Sequence, residues 1–221
     1  MTNKLLDIVE IAALAASAEG EAKESAIELL QVFTVDGKPL GVAPRLLCHR
    51  LGLLHKVVFC FLRAPDGKLL LQTRKNGRVD VAVGGHMSSY DNSAEDAILR
   101  EIREEIGLHL SLSQLIKIAD YQRHSGDRLS KAREVNRELR KLFLVELSNE
   151  ECTALEKQFG ERRDKGAVLS VTWLSIEDVL SACDSDQAAD GLSASISHYL
   201  LWLQGGARTF VYGDPPSAVK A

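Results

Sequence analysis

At 221 residues with a net charge of −4, the chain fits one domain with extensions or two small ones, and its composition is ordinary for a folded, core-forming protein. The acidic balance excludes a general nucleic-acid-polymer binder, which would carry a basic stripe, and no uncharged apolar run reaches the roughly 18 residues of a membrane span. Four cysteines, Cys48, Cys60, Cys152 and Cys183, form no CxxC pair and no zinc-ligand spacing, so free thiols and a reducing cytoplasm are expected.

Residues 3–17 read as an amphipathic helix. Asp7 and Glu10 interrupt the apolar run that a signal peptide needs. Gly20 breaks the pattern, and residues 21–29 suggest a second short helix or turn. Residues 1–28 are therefore expected to form an N-terminal helical extension, either packed on the domain or offered to a partner. Residues 30–35 alternate like a strand. Asp36-Gly37-Lys38-Pro39 is a turn, since Asp and Gly tolerate turn dihedrals and Pro has no N–H for a ladder. The near-continuous apolar run at 57–62 predicts a central strand covered on both faces. A turn at 65–68 returns the chain as a hairpin partner at 69–74, and residues 79–83 alternate into Gly84-Gly85.

A helix opens after Ser93, an N-cap with Asp96 three residues on. Ile98, Ile102 and Ile106 mark its apolar face, and Gly107 is the expected left-handed residue at its end. Residues 115–121 form a further strand. Residues 122–140 are polar and basic. They suit either a solvated loop with a short helix or a mobile loop that supplies cations to a phosphate. Strands at 141–147 and 167–174, an acidic helix at 148–159, a helix capped by Ser175 and a last helix at 192–203 complete a domain spanning 29–204. Residues 205–221 read as a loose tail.

The chemistry concentrates at Arg100-Glu101-Ile102-Arg103-Glu104-Glu105-Ile106-Gly107-Leu108. Glu101, Glu104 and Glu105 fall at i, i+3 and i+4, one face of a helix. Like charges so placed repel, and a hard divalent cation with oxygen ligands would neutralise them. A solvated acidic face is the plain alternative.

This stretch matches the second half of the Nudix box, REUxEExGU with U a bulky aliphatic residue, and the glycine-rich approach from a strand matches as well. The chain resembles a Nudix hydrolase over roughly residues 29–180. Residues 36–41, Arg45 and His49-Arg50-Leu51-Gly52-Leu53-Leu54-His55 resemble the branch that includes the isopentenyl-diphosphate isomerases. The resemblance implies an α/β fold, an α/β/α sandwich around a mixed β-sheet. It implies hydrolysis of a phosphoanhydride in a nucleoside diphosphate derivative with Mg²⁺ or Mn²⁺, a small diphosphate as the binding partner, no membrane, and a homodimer as the fold-level expectation.

By the same resemblance Glu101, Glu104 and Glu105 hold metal, and Glu104 or Glu105 serves as base. Arg100 orients a glutamate, and Gly84, Gly85 and His86 form the phosphate loop. The family's upstream Glu lies six residues after its first Gly and eight before its Arg. Counting from Gly85 gives Asp91 and counting back from Arg100 gives Asn92, so this loop holds one extra residue and leaves the supporting role to Asp91. The loop at 75–78 is also short. A catalytically weak domain that binds a nucleotide metabolite or a protein is the second reading. Isomerisation is the third. His49, His55 and His86 resemble the isomerase's metal-binding set, and Glu138 resembles its downstream Glu, but Gly84 stands where isomerases carry a Cys. Substrate choice lies in the loops at 75–80 and 122–140, with Tyr121 as a possible stacking ring.

Overall fold

The computed structural model describes residues 28–126, 135–161 and 168–205. The expected N-terminal helices and the C-terminal tail fall outside them, apart from Glu28, Leu29 and Gly205. Leu29 is strand rather than helix.

In chain order the elements are β1 (Leu29–Phe33), β2 (Pro39–Pro44), α1 (Arg45–Leu51), β3 (Leu54–Arg63), β4 (Leu69–Arg74), β5 (Val79–Val81), β6 (Val83–His86), α2 (Ala94–Glu101), a π-helical turn (Ile102–Ile106), a 3₁₀ turn (Leu112–Gln114), β7 (Ile116–Gly126), β8 (Val135–Glu146), α3 (Asn149–Glu161), β9 (Val168–Leu174), α4 (Ile176–Asp184) and α5 (Asp190–Leu203). The strands join one mixed sheet. β1, β6 and β8 all pair with β3, and among the described residues the β3–β8 ladder is the parallel one.

β3 is the axis of the sheet. Its residues alternate between two cores, as a strand's period of two requires. Val57, Phe59 and Phe61 pack with Val179 of α4 and with Leu192, Ile196 and Tyr199 of α5. Val58, Cys60 and Leu62 pack with Ile98, Ile102 and Ile106 and with Leu155 of α3. This is the α/β/α arrangement, and it explains why the 57–62 run is apolar at every position. Each of those side chains contributes about 1.5–3 kcal/mol by burial. No helix among the described residues is long and apolar enough to cross a membrane.

Besides the Gly84–His86 stretch, which is part of strand β6 rather than a loop, and the π turn that ends the box helix, two further elements differ from the sequence expectation. The described parts of the basic segment 122–140 are strand rather than loop. β7 runs on to Gly126 and β8 begins at Val135, with Tyr121 opposite Arg140 and Arg123 opposite Glu138. Cross-strand pairing with acidic partners outweighs the loop-like composition. Residues 127–134 lie outside the described set. α1 is the second difference: seven residues between Pro44 and Gly52, ended by Gly52 at φ 62°. A single short amphipathic turn gives too few periods to stand out in sequence.

α5 has no cap from its own side chains at Ala189. Asp80 of β5 instead lies against the helix start, where a Cβ at Gly191 would fall 2.6 Å from its Oδ1.

Candidate active site

The acidic helix begins where the sequence places it. Ser93 Oγ accepts from the Asp96 N–H at 3.0 Å, and Glu95 and Asp96 lie favourably in the first turn. Ile98, Ile102 and Ile106 are fully buried. That apolar ridge fixes the rotation of the helix, and so it fixes where the glutamates point. The α-helix ends at Glu101 and continues as a π turn through Ile106. Gly107 closes it at φ 74°, and a Cβ there would also meet Gln158 Nε2 at 2.6 Å.

Arg100 organises the carboxylates. Its Nε donates to Asp91 Oδ1 at 3.1 Å and one Nη to Asp91 Oδ2 at 2.9 Å, a two-point pair. The other Nη donates to Glu101 at 2.8 Å and Glu104 at 3.1 Å, and a further bond reaches the His86 carbonyl at 3.2 Å. Arg100 thus joins the box loop to two of the three glutamates. Asp91 is buried and also accepts from the Ser88 N–H at 2.8 Å. The aspartate therefore reaches Arg100 despite being one carbon shorter than glutamate.

The glycine pair lies under the carboxylates. Gly84 N–H donates to Glu105 Oε2 at 3.1 Å. A Cβ at Gly85 would fall 2.2 Å from Glu101 Oε1, so only glycine lets the strand lie this close to that carboxylate. Burial raises the proton affinity of Glu101, opposed by Arg100. Glu105 is pushed up to about 8, first by burial of its carboxylate and then by the Glu101 charge, with the Gly84 N–H and Arg74 acting against the rise. The Glu105 residue keeps solvent contact on one side, which limits how much of that burial penalty it carries.

A second cluster lies on the other face of the same strands. His86 pairs with Val57 across β6 and β3, and so shares its side of the sheet with His55, while Gly85 pairs with Val58 on the side of Glu101. His49 from α1, His55 from β3 and His86 from β6 gather with ring centroids 5.2 Å apart in every pair. One ligand atom from each lies within 4.8 Å of the others. His49 Nε2 and His86 Nε2 are 3.2 Å apart, so one donates and the other accepts. Burial lowers all three, His49 to about 4, and Arg45 adds to the effect. The imidazoles are neutral at pH 7.

Glu138 lies beside His55 in the parallel ladder, but its Oε2 takes Arg140 Nε at 2.6 Å. Arg140 is 3% exposed, donates to Asp190 at 2.5 Å and lies over the Phe59 ring. Arg123 also pairs with Asp190, at 2.8 Å. These basic side chains are tied into the sheet and α5, unlike the cations of a free loop. Phe59, Arg140, Asp80 and Asp190 come to the site from separate elements, and no local spacing in the sequence signals them. Tyr121, considered as a stacking ring, is buried and hydrogen-bonded to Ser195 at 2.9 Å. Among the described residues, the exposed ring beside the box is Tyr90, against Arg100.

The position that would carry an isomerase's Cys has no room for a side chain. A Cβ at Gly84 would lie 2.4 Å from Phe59 Cδ1. Phe59 occupies the space an acid/base group would need there.

Comparison with known proteins agrees with this geometry. An uncharacterized Nudix hydrolase of Streptomyces coelicolor is 33% identical over 89 residues, covering 38% of this chain and 49% of that one. An isopentenyl-diphosphate delta-isomerase of Candida albicans is 42% identical over 60 residues, covering 25% of this chain and 21% of that one. The chain thus spans half or less of the length of these relatives. A crystal structure of a Deinococcus radiodurans protein superposes with a TM-score of 0.53 at 21% identity, covering 76% of this chain and 97% of that one, and shows the shared fold. The NUDIX domain model matches residues 53–194, well over half of the chain and across both carboxylate and glycine elements. The chain belongs to the Nudix family.

Proposed function

We propose that the chain is a divalent-metal-dependent hydrolase that cleaves the phosphoanhydride bond of a nucleoside diphosphate derivative. The observation that carries this reading is the Arg100 hub, which gathers Asp91, Glu101 and Glu104 beside the Gly84-Gly85 backbone. The donor set suits Mg²⁺ or Mn²⁺: Glu101, Glu104 and Glu105 offer only hard oxygens, and the Gly85 surface leaves open the approach that a Cβ would fill. Such an ion would neutralise diphosphate charge and lower the pKa of a bound water.

The protein's own groups do the rest. Arg100 holds Glu101 and Glu104 in place without needing to touch substrate. The Gly84-Gly85 stretch of β6 supplies backbone against the phosphates. Glu105, whose proton affinity is raised, is the group we assign as general base, and its Gly84 hydrogen bond holds it toward that strand. Glu104 keeps an exposed carboxylate paired with Arg100 and is assigned to metal.

The test is nucleotide release from a panel of nucleoside diphosphate derivatives with Mg²⁺, comparing wild type with Glu104→Gln and Glu105→Gln. Turnover that both variants lose supports the assignment. No turnover of any substrate, with tight binding of one of them, would favour the domain as a nucleotide-binding module instead.

A further inference from the structure

We propose that residues 3–17 dock as an amphipathic helix on the uncovered face of the β1–β2 hairpin, beside the loop that carries Asp91. β2 lies at the end of the sheet, paired with β1. Directly opposite residues share a face, so Leu29 and Pro44 lie with Gln31 and Val42. Leu30 and Ala43 lie on the other face, against Cys48 of α1. On the face away from α1, Leu29 is 43% exposed and Val42 55%, and Leu40, at the irregularity in the pairing, is 67% exposed. Pro39-Leu40-Gly41-Val42-Ala43-Pro44 holds no charged residue. An uncharged apolar edge strand invites pairing with another chain, and a helix laid over it is one way in which proteins prevent this.

The chain itself supplies the occupant. Glu28 is pinned at the start of β1: its carboxylate pairs with Arg45 at 3.0 Å, and its carbonyl accepts from the Arg45 N–H at 2.8 Å. Residues 1–27, which lie outside the described set, therefore join the domain at the exposed patch itself. Leu5, Ile8, Val9, Ala12 and Ala16 recur at i, i+3, i+4, i+7 and i+11, an apolar stripe that needs a surface to cover it. A helix over 3–17 is about 22 Å long. The six residues of β2 span about 20 Å, so helix and hairpin match in length. Residues 18–27 form a tether of about 17 Å as flexible chain, which holds the helix at an effective concentration of the order of millimolar. A second copy of the chain in dilute solution does not compete with that. Docking there also reaches the catalytic loop. Gln31 Nε2 donates to the Asp91 carbonyl at 3.0 Å, and the Ser89 N–H donates to the Leu29 carbonyl at 2.8 Å. The docked helix thus braces the segment that brings Asp91 to Arg100.

Hydrogen exchange on the full-length chain, with particle mass followed by light scattering, tests this. In wild type the amides of residues 5–16 should exchange about tenfold or more slowly than unstructured chain, in a particle of one chain's mass. Val42→Asp and Leu40→Asp should each abolish that slowing while α2 stays protected, and Leu112→Asp, an exposed apolar site elsewhere, should leave it intact. Free exchange of residues 5–16 in wild type overturns the proposal. So does slowing that survives Val42→Asp and Leu40→Asp, or that Leu112→Asp abolishes as well. Slowing found only in a two-chain particle, and lost on dilution, gives the face to a second copy and overturns it too. If Val42→Asp does not fold, Leu40→Asp decides alone. Turnover plays no part in the readout, so its failure leaves the hydrolase reading untouched.

Discussion

Replacing Gly85 by alanine places a methyl carbon 2.2 Å from Glu101 Oε1 and 2.4 Å from its carboxyl carbon, where ordinary contact begins at 3.4 Å. The carboxylate is the movable partner, so Glu101 must retreat by about 1 Å and strain its bond to Arg100. A displacement of that size in a positioned catalytic group costs about 10²-fold in rate, or about 2.7 kcal/mol of transition-state stabilisation. Fold stability should scarcely change. The clash is with the far end of a flexible side chain, and alanine also restricts the unfolded chain by about 0.4–1 kcal/mol. The neighbouring glycine gives the opposite signature. At Gly84 the methyl meets the Phe59 ring at 2.4 and 2.8 Å, and that ring is held between Arg140 and Gly191. Overpacking there costs about 1–3 kcal/mol, or roughly 3–10 °C of melting temperature for a domain of this size. Mg²⁺-dependent turnover and thermal melts measured on both variants separate the two effects. If Gly85→Ala keeps activity within about threefold of wild type, or loses it only in step with its melting temperature, Glu101 is not the positioned ligand described.

Further expectations follow from the same contacts. Asp91→Ala strips the buried Arg100 of a two-point partner and should destabilise by about 3 kcal/mol, measured by denaturant unfolding, as well as lowering turnover. Asp190→Ala releases Arg123 and Arg140 together, and a loss of about 3 kcal/mol is expected; a loss under 0.5 would show that α5 docks without them. Ile98→Ala leaves a cavity beneath the box helix and should cost about 2–5 kcal/mol. Glu105 has a folded proton affinity raised from 4.5 to about 8, so its neutral form is favoured in the fold. Its contribution is present below the ordinary carboxylate range and is lost as pH climbs toward 8. In chelator, wild type should therefore lose more melting temperature between pH 5 and 8.5 than Glu105→Gln, and Mg²⁺ should reverse the difference. Equal slopes would remove Glu105 from the list of perturbed groups.

The parts of the fold that follow local rules were readable in the sequence. The Ser93 cap, the Ile98–Ile102–Ile106 ridge, Gly107 and the two-faced apolar run of β3 each depend on residues within a few positions of one another. The π turn did not show, because the same residues satisfy an α pattern until the chain must seat Ile106 and Gly107 against α3. The 122–140 segment misled because charged residues in a strand look like a loop when their partners, Asp190 on α5 and Gly52 after α1, are far away in sequence. The carboxylate half of the site was legible since one helix turn carries it. The histidine face was visible only as scattered residues, and its relation to Arg140 depends on a ladder that no spacing reports. The departure at Asp91 had the opposite character: visible as a missing glutamate, it is offset in space, since the shorter side chain still pairs with Arg100.

The parallel β3–β8 ladder carries a consequence for how the protein is made. It sets His55 beside Glu138, residues 83 positions apart (138 less 55), with the box helix enclosed in the crossover between them. A ladder of that span must overcome a large loop-closure entropy before its contacts stabilise anything. The box helix can form early from local interactions, while the histidine and arginine face appears only when β8 docks. A ribosome-bound chain that has not yet released β8 would thus hold acidic metal ligands without the other half of the cleft.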